Sequence, residues 1–154
     1  MSIEHEFFLV PNKVSYQVLM GSNKENLDII DSIAISDDLM QYIADSLNWI
    51  PCKNPAISMT KESVGINYYG VTLFDQTSAT TMKNIFTAWR FLFINSPEML
   101  ELTGEFVHSS NVKVLGGRER LVFSRNDVLE LLERLLSMIT RLEDEDLYLY
   151  HLGI

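Results

Sequence analysis

Three histidines are the side chains in this sequence best suited to move protons or to bind a metal. They are His5, His108 and His151, and they lie too far apart to form a local metal motif. The HxxxH and CxxC spacings and the EF-hand pattern do not occur. Strand pairing can still bring His108 and His151 together; the alternative is that each is a half-buried histidine bound to backbone groups. We predict no metal and no other cofactor.

The segment 116–120 is the only glycine-rich basic stretch of the chain. A phosphate loop requires GxxxxGK[ST] after a strand or GxGxxG at the start of a helix, and neither pattern is present. One hypothesis is a hairpin turn with exposed arginines; the other is that Arg118 and Arg120 clamp a carboxylate or phosphate group. Together with His108 and His151, these arginines form the candidate ligand site of the sequence.

No residue pattern indicates a catalytic nucleophile or a general acid. A GxSxG elbow is absent, and the single cysteine, Cys52, has no histidine near it in the sequence. The paired acids Asp37 and Asp38 and the acidic run 143–146 are predicted to be solvated. Solvated carboxylates lack the raised pKa that a general acid needs. We therefore predict no catalytic residue and interpret the protein as not an enzyme.

The charge of the chain favours a basic protein as its partner. Its formal net charge is -9, which argues against binding to nucleic acid or to an anionic membrane. The acids are unevenly distributed, because the segment 25–52 contains no lysine or arginine. We take five aspartates of this segment as the candidate partner-binding surface: Asp28, Asp31, Asp37, Asp38 and Asp45. The alternative is that these acids are only a solvated surface.

Length and composition predict one cytoplasmic domain over residues 1–154. The chain has 47% hydrophobic and 21% charged residues, as in an ordinary globular protein. No apolar run approaches the roughly 18 residues that a membrane span requires, and an N-terminus with Glu4 and Glu6 does not resemble a signal peptide. The single Cys52 excludes an internal disulfide, which fits a reducing compartment.

A helix followed directly by a strand is predicted for residues 124–154. Ser124 can act as the N-cap, with Asp127 three residues later. Apolar residues then recur at helical spacing: Val128, Leu131, Leu132, Leu135, Ile139 and Leu142. The strand 147–154 is apolar on both faces, which is typical of a strand covered on both sides or in contact with a partner. If it lies at a sheet edge, it also predicts a homodimer.

The remaining pattern predicts the α+β class. From residue 66 the order is strand, helix, strand, strand, helix, strand, which favours a ferredoxin-like βαββαβ core over about residues 66–154. We expect strands at 4–10 and 14–20 to form an N-terminal hairpin. A helix starting after the N-cap Ser36 and ending near residue 49 would join this hairpin in extending or covering the sheet.

Two functional hypotheses follow from this sequence. The first is a non-enzymatic protein that binds and neutralises a basic protein, because small acidic α+β domains without catalytic motifs include immunity proteins and nuclease inhibitors; this analogy is one of class and not of residues. The second is a small-molecule-binding domain or small enzyme with a pocket between sheet and helices, which would use Arg118, Arg120, His108 or His151.

Overall fold

The computed structural model describes residues 3–21, 24–107 and 117–154. These residues form, in chain order, β1 (Glu4–Pro11), α1 (Tyr16–Met20), a short 3-10 turn (Lys24–Asn26), β2 (Asp31–Ser36), α2 (Asp37–Leu47), β3 (Pro51–Lys53), β4 (Glu62–Val64), β5 (Val71–Phe74), α3 (Gln76–Ile94), β6 (Met99–Val107), β7 (Gly117–Ser124), α4 (Arg125–Asp144) and β8 (Leu147–Leu152). This confirms the predicted α+β class. Among these helices, none is both long enough and apolar enough to cross a membrane.

Six strands form one antiparallel sheet in the order β2-β1-β8-β5-β3-β4. The last strand, β8, is central, because it pairs with β1 on one side and with β5 on the other. The hypothesis that this strand lies at a sheet edge is therefore wrong, and the reason for expecting a homodimer through it is removed. The apolar character of both its faces instead reflects burial on both sides of the sheet.

Strands β6 and β7 pair with each other in a separate two-stranded sheet. The predicted order of elements is present, but the strand pairing does not form the single sheet of a ferredoxin-like core. The place beside β5 that such a core would need is taken by β3. The β6–β7 hairpin packs on the core through Leu100 and Leu102, while most of β7 is exposed.

The sheet separates two hydrophobic clusters. The larger cluster lies between one face of the sheet and helices α2, α3 and α4, and it includes Leu147 and Leu149 of β8. The smaller cluster lies on the other face, where Tyr150 of β8 packs with Phe8 of β1 and Leu19 of α1. Alternate residues of the same strand thus enter different clusters, as the two-fold period of a strand requires.

The predicted N-terminal β-hairpin is wrong, because residues 16–20 form the short helix α1 and β1 pairs with β2 and β8. A strand would have buried alternate residues of this segment. Instead Val14 and Leu19 are buried, whereas Val18 and Met20 are exposed. Alternation over a few residues did not distinguish a strand from a single helical turn.

The predicted helix starts are confirmed by side-chain caps. Ser36 accepts a hydrogen bond from the Leu39 amide of α2, and Ser124 accepts one from the Asp127 amide of α4. Asp75 caps α3 in a capping box. The inner face of α2 is buried throughout: Leu39, Met40, Ile43, Leu47 and the following Ile50. These local signals were sufficient because each involves residues only a few positions apart.

Gly153 allows a close approach between the C-terminal residues and the loop before β5. Its amide donates to the Gly70 carbonyl at 2.8 Å, and the Ile154 amide donates to the Tyr68 carbonyl at 3.2 Å. A Cβ atom at position 153 would lie 2.0 Å from that Tyr68 oxygen. Only a residue without a Cβ fits there without moving backbone.

We therefore predict that Gly153→Ala lowers the free energy of unfolding by about 2 kcal/mol, through overpacking against backbone. Gly21→Ala is the control, because the nearest described atom to its added Cβ, chain neighbours apart, would be the Val18 carbonyl oxygen at 3.3 Å, and its φ is -66°. Urea unfolding of both variants is the measurement. An equal, small loss of stability in the two variants would contradict the close approach.

Candidate interaction surface and buried histidine pair

Two of the five candidate aspartates are neutralised by basic residues from other parts of the chain. Asp28 lies 3.4 Å from the ammonium group of Lys13, and both side chains are exposed. Asp31 accepts a hydrogen bond from Arg134 of α4 at 2.6 Å, which holds the pKa of Asp31 below its ordinary value. The absence of basic residues from the segment in sequence therefore does not make its whole surface negative.

Asp37 is an internal hydrogen-bond acceptor. Its carboxylate accepts from His5 Nε2 at 3.1 Å, from Gln41 Nε2 at 2.6 Å and from the Tyr68 hydroxyl. Burial alone would raise the pKa of Asp37, but the hydrogen bonds from Tyr68, His5 and Gln41 outweigh it and hold the pKa below its ordinary value. Burial, followed by the bond to Asp37, raises the pKa of Tyr68 far above its ordinary value, so its hydroxyl stays a donor.

Asp38 and Asp45 are the two candidate aspartates that remain exposed without an ion-pair partner among the described residues. They lie on the outer side of α2, where Tyr42 falls between them at helical spacing and Trp49 follows just beyond the helix. The exposed fractions are 45% for Tyr42 and 65% for Trp49. We call Asp38, Tyr42, Asp45 and Trp49 the α2 outer face.

Tyr42 is held in place by aromatic contacts with α3. Its ring meets Trp89 at a centroid distance of 5.6 Å and an interplanar angle of 76°, and it also contacts Phe93. The indole nitrogen of Trp89 donates to Ser46 Oγ at 3.0 Å, which fixes Trp89 against α2. The exposed part of Tyr42 is therefore presented from a packed position and not from a free side chain.

A shallow cavity of about 190 Å³ extends the α2 outer face towards the β6–β7 hairpin. Asp38 and Tyr42 line it from α2, and Glu105 and Arg118 line it from the hairpin. Arg118 thus lies beside carboxylates, while Arg120 is engaged with Glu101 across the hairpin. The extension is acidic and carries one arginine.

His5 and His151 form a buried pair at the centre of the sheet. Both are 0% exposed, and His5 Nδ1 lies 2.8 Å from His151 Nε2. Because His5 Nε2 donates to Asp37, we assign His5 Nδ1 as acceptor and His151 Nε2–H as donor. His151 Nδ1 is then a buried acceptor without a hydrogen-bond partner among the described residues. Burial, and then the neighbouring His5, lower the pKa of His151 to about 3.

The four residues of the predicted ligand site are not brought together in the described part of the chain. His151 is buried against His5, Arg118 lines the shallow cavity and Arg120 is paired with Glu101. His108 lies outside the described residues. Within the described ranges, no three His, Cys, Asp or Glu side chains are arranged to hold a metal ion.

Sequence reasoning missed the contact of His151 with His5. The sequence gives no local sign of this pairing, because the two residues are 146 positions apart.

The surroundings of Cys52 are those of an unreactive cysteine. Its thiol is buried, it donates to the Gly65 carbonyl, and burial raises its pKa.

Comparison with known proteins gives no relative on which to base a function. No protein-family model, no curated protein and no solved structure matches this chain. Function must be inferred from its surfaces and internal contacts.

The contrast between Asp37 and its neighbour Asp38 is testable. We predict that Asp37→Asn lowers the free energy of unfolding by about 2 kcal/mol, since an amide nitrogen would face donors in place of a carboxylate oxygen. Asp38→Asn is the matched control, because it lies in the same first turn of α2 but is exposed; we expect a loss below about 0.5 kcal/mol. Equal losses in urea unfolding would refute an anchoring role for Asp37.

The buried His151 should make stability depend on pH. Its pKa is 6.5 in a solvated chain and about 3 in the folded protein, so the unfolded state binds one proton more over this interval. The stabilising contribution is therefore complete above pH 6.5 and is lost as the pH falls towards 3. We predict that His151→Gln, which keeps a donor for His5, flattens the stability profile by about 1.4 kcal/mol per pH unit. Urea unfolding from neutral pH down to about pH 5 measures it, and parallel profiles would contradict the assignment.

Proposed function

We propose that this protein is a non-enzymatic interaction protein that binds a basic protein through the α2 outer face. The observation that carries the proposal is the combination of unpaired carboxylates and exposed aromatic rings on one side of a packed helix. Asp38 and Asp45 supply the negative charge, and Tyr42 and Trp49 supply apolar contact area. The partner would be neutralised by occlusion of its active surface.

Charge and aromatic residues have different tasks in such an interface. Exposed carboxylates on a protein of net charge -9 raise the rate of encounter with a basic partner. Affinity depends more on large rigid side chains that become fully desolvated, and tyrosine and tryptophan are enriched among such residues. The exposed indole of Trp49 and the packed ring of Tyr42 meet this requirement.

The α2 outer face is also preorganised. The inner side of α2 is buried, and Ser36 caps its first turn. In the same turn the Asp37 carboxylate accepts hydrogen bonds from His5 and Tyr68. A helix held in this way loses little conformational entropy on binding, which favours affinity.

We further propose a cytoplasmic location, in keeping with the buried free thiol of Cys52. Of the residues predicted for the alternative small-molecule site, His151 is buried against His5, whereas Arg118 and Arg120 are exposed on β7.

The test is capture of partners from a lysate of the source cells, using the wild-type protein and two double variants as bait. Asp38→Asn/Asp45→Asn removes both charges of the α2 outer face. Glu98→Gln/Glu119→Gln removes two exposed charges elsewhere, so each double variant changes the formal net charge from -9 to -7. We expect a basic protein that the wild type and the control retain and that the first variant loses.

With the recovered partner, the effect of the charges on association can be measured separately from the effect of the aromatic residues on dissociation. Its association rate should fall steeply with added salt, and at least about tenfold for Asp38→Asn/Asp45→Asn at low salt. Trp49→Ala should instead speed dissociation at least about tenfold, while Phe91→Ala, another exposed aromatic residue, should not. A partner that is not basic, or that binds all variants equally, would refute the proposal.

A further inference from the structure

Strand β2 forms one outer edge of the six-stranded sheet, because among the described strands only β1 pairs with it. The Asp37 amide donates to the Ile3 carbonyl, so residues 3 and 37 form a hydrogen-bonded pair. Because such pairs alternate along antiparallel strands, the backbone groups of Ile33 and Ile35 also point towards β1. The backbone amide and carbonyl groups of Ser32 and Ala34 point to the open edge. The Ser32 amide accordingly donates to Asp31 Oδ1 at 2.8 Å and not to a strand.

A groove of about 440 Å³ runs along this open edge, between β2 and α4. Ser32 and Ala34 form one side, and Glu130 and Arg134 of α4 form the other. Phe8 and Leu131 add apolar surface at opposite sides of the groove. An exposed strand edge beside a helix is the arrangement in which proteins bind an extended peptide as an added strand.

The groove has a net negative charge. Its arginine, Arg134, is paired with Asp31, and Glu6 is paired with Lys24. Asp127 and Glu130 also line the groove, and neither has an ion-pair partner among the described residues. A segment lying here would meet two free carboxylates together with a row of outward-pointing backbone groups.

We propose that an extended basic segment of a partner protein binds in this groove as an additional strand on β2. Its backbone would pair with the Ser32 carbonyl and with the amide and carbonyl of Ala34, and its lysine or arginine side chains would reach Asp127 and Glu130. Its apolar side chains, on the opposite face of the added strand, would cover Phe8. The opposite edge strand, β4, has only three residues and offers fewer backbone bonds. This site is separate from the α2 outer face, so either proposal can fail without the other.

The test uses a synthetic nine-residue peptide of alternating lysine and valine, labelled at one end, with binding followed by fluorescence anisotropy. Two further peptides separate charge from strand pairing. In one, every lysine is replaced by glutamate. In the other, alternate amides are N-methylated so that one backbone edge cannot donate, while the charge is unchanged. We expect the first peptide to bind, and both others to bind at least tenfold more weakly.

Variants of the protein localise the site. Ala34→Pro removes an amide that points to the open edge, where proline is tolerated, and Val64→Pro on β4 is its control. Asp127→Asn/Glu130→Gln should weaken binding at least fivefold, whereas Glu98→Gln/Glu119→Gln, with the same net charge, should not. The N-methylated peptide keeps the test decisive even if Ala34→Pro does not fold, because it needs no change in the protein.

Three outcomes would overturn the proposal. The first is failure of the lysine–valine peptide to bind at about 1 mM. The second is equal binding of the N-methylated peptide, which would indicate charge attraction without strand pairing. The third is self-association of the wild-type protein that Ala34→Pro abolishes in analytical ultracentrifugation, since the occupant of the edge would then be a second copy of this chain.

Discussion

The carboxylate of Asp37 is the acceptor on which the arrangement of sheet and helices depends. A charge shielded from water is tolerated only where hydrogen bonds replace its hydration. Here the donors come from β1 through His5, from the loop before β5 through Tyr68 and from α2 itself through Gln41. His5 extends the network to His151 in β8. Because Asp37 is the first residue of α2, satisfying its carboxylate fixes where α2 starts relative to the centre of the sheet.

This constraint has consequences at both ends of the chain. Tyr68 can reach Asp37 because its loop is held by backbone hydrogen bonds to the C-terminal residues, which Gly153 allows to pass close by. On the other side, α2 buries its apolar residues and leaves Asp38, Tyr42 and Asp45 outward. Helix α2 therefore contributes both to the internal hydrogen-bond network and to the exposed surface. Asp37 positions the helix through its hydrogen bonds, and Asp38 and Asp45 remain exposed for a partner.

The acidic segment 25–52 is divided by the fold into parts with different roles. Asp31 is taken up by Arg134 of α4, which also lines the groove at the open edge of β2. Asp37 is internal, whereas Asp38 and Asp45, which have no ion-pair partner in the part of the chain that the structure describes, contribute charge to the α2 outer face. Both proposed surfaces lie on consecutive elements, β2 and α2, and both leave free carboxylates beside apolar contact area. A single basic partner with an extended segment has the chemistry to use both.

The sequence by itself determined the elements whose signals are local. The sequence predicted the caps Ser36 and Ser124 and the apolar stripe of α4, because an N-cap and a helical stripe join residues three or four positions apart. The α+β class followed from the succession of such elements. A short alternating stretch was less informative, and α1 was mistaken for a strand for that reason.

Only the tertiary structure decided which strands pair and which charges are free. The ion pair of Asp31 with Arg134 spans 103 positions and the contact of His5 with His151 spans 146, and no local pattern encodes such partners. The same holds for the separation of the β6–β7 hairpin from the main sheet and for the central place of β8. Strand pairing and burial are set by the packing of the whole chain, whereas the start of a helix is set by its own first turn.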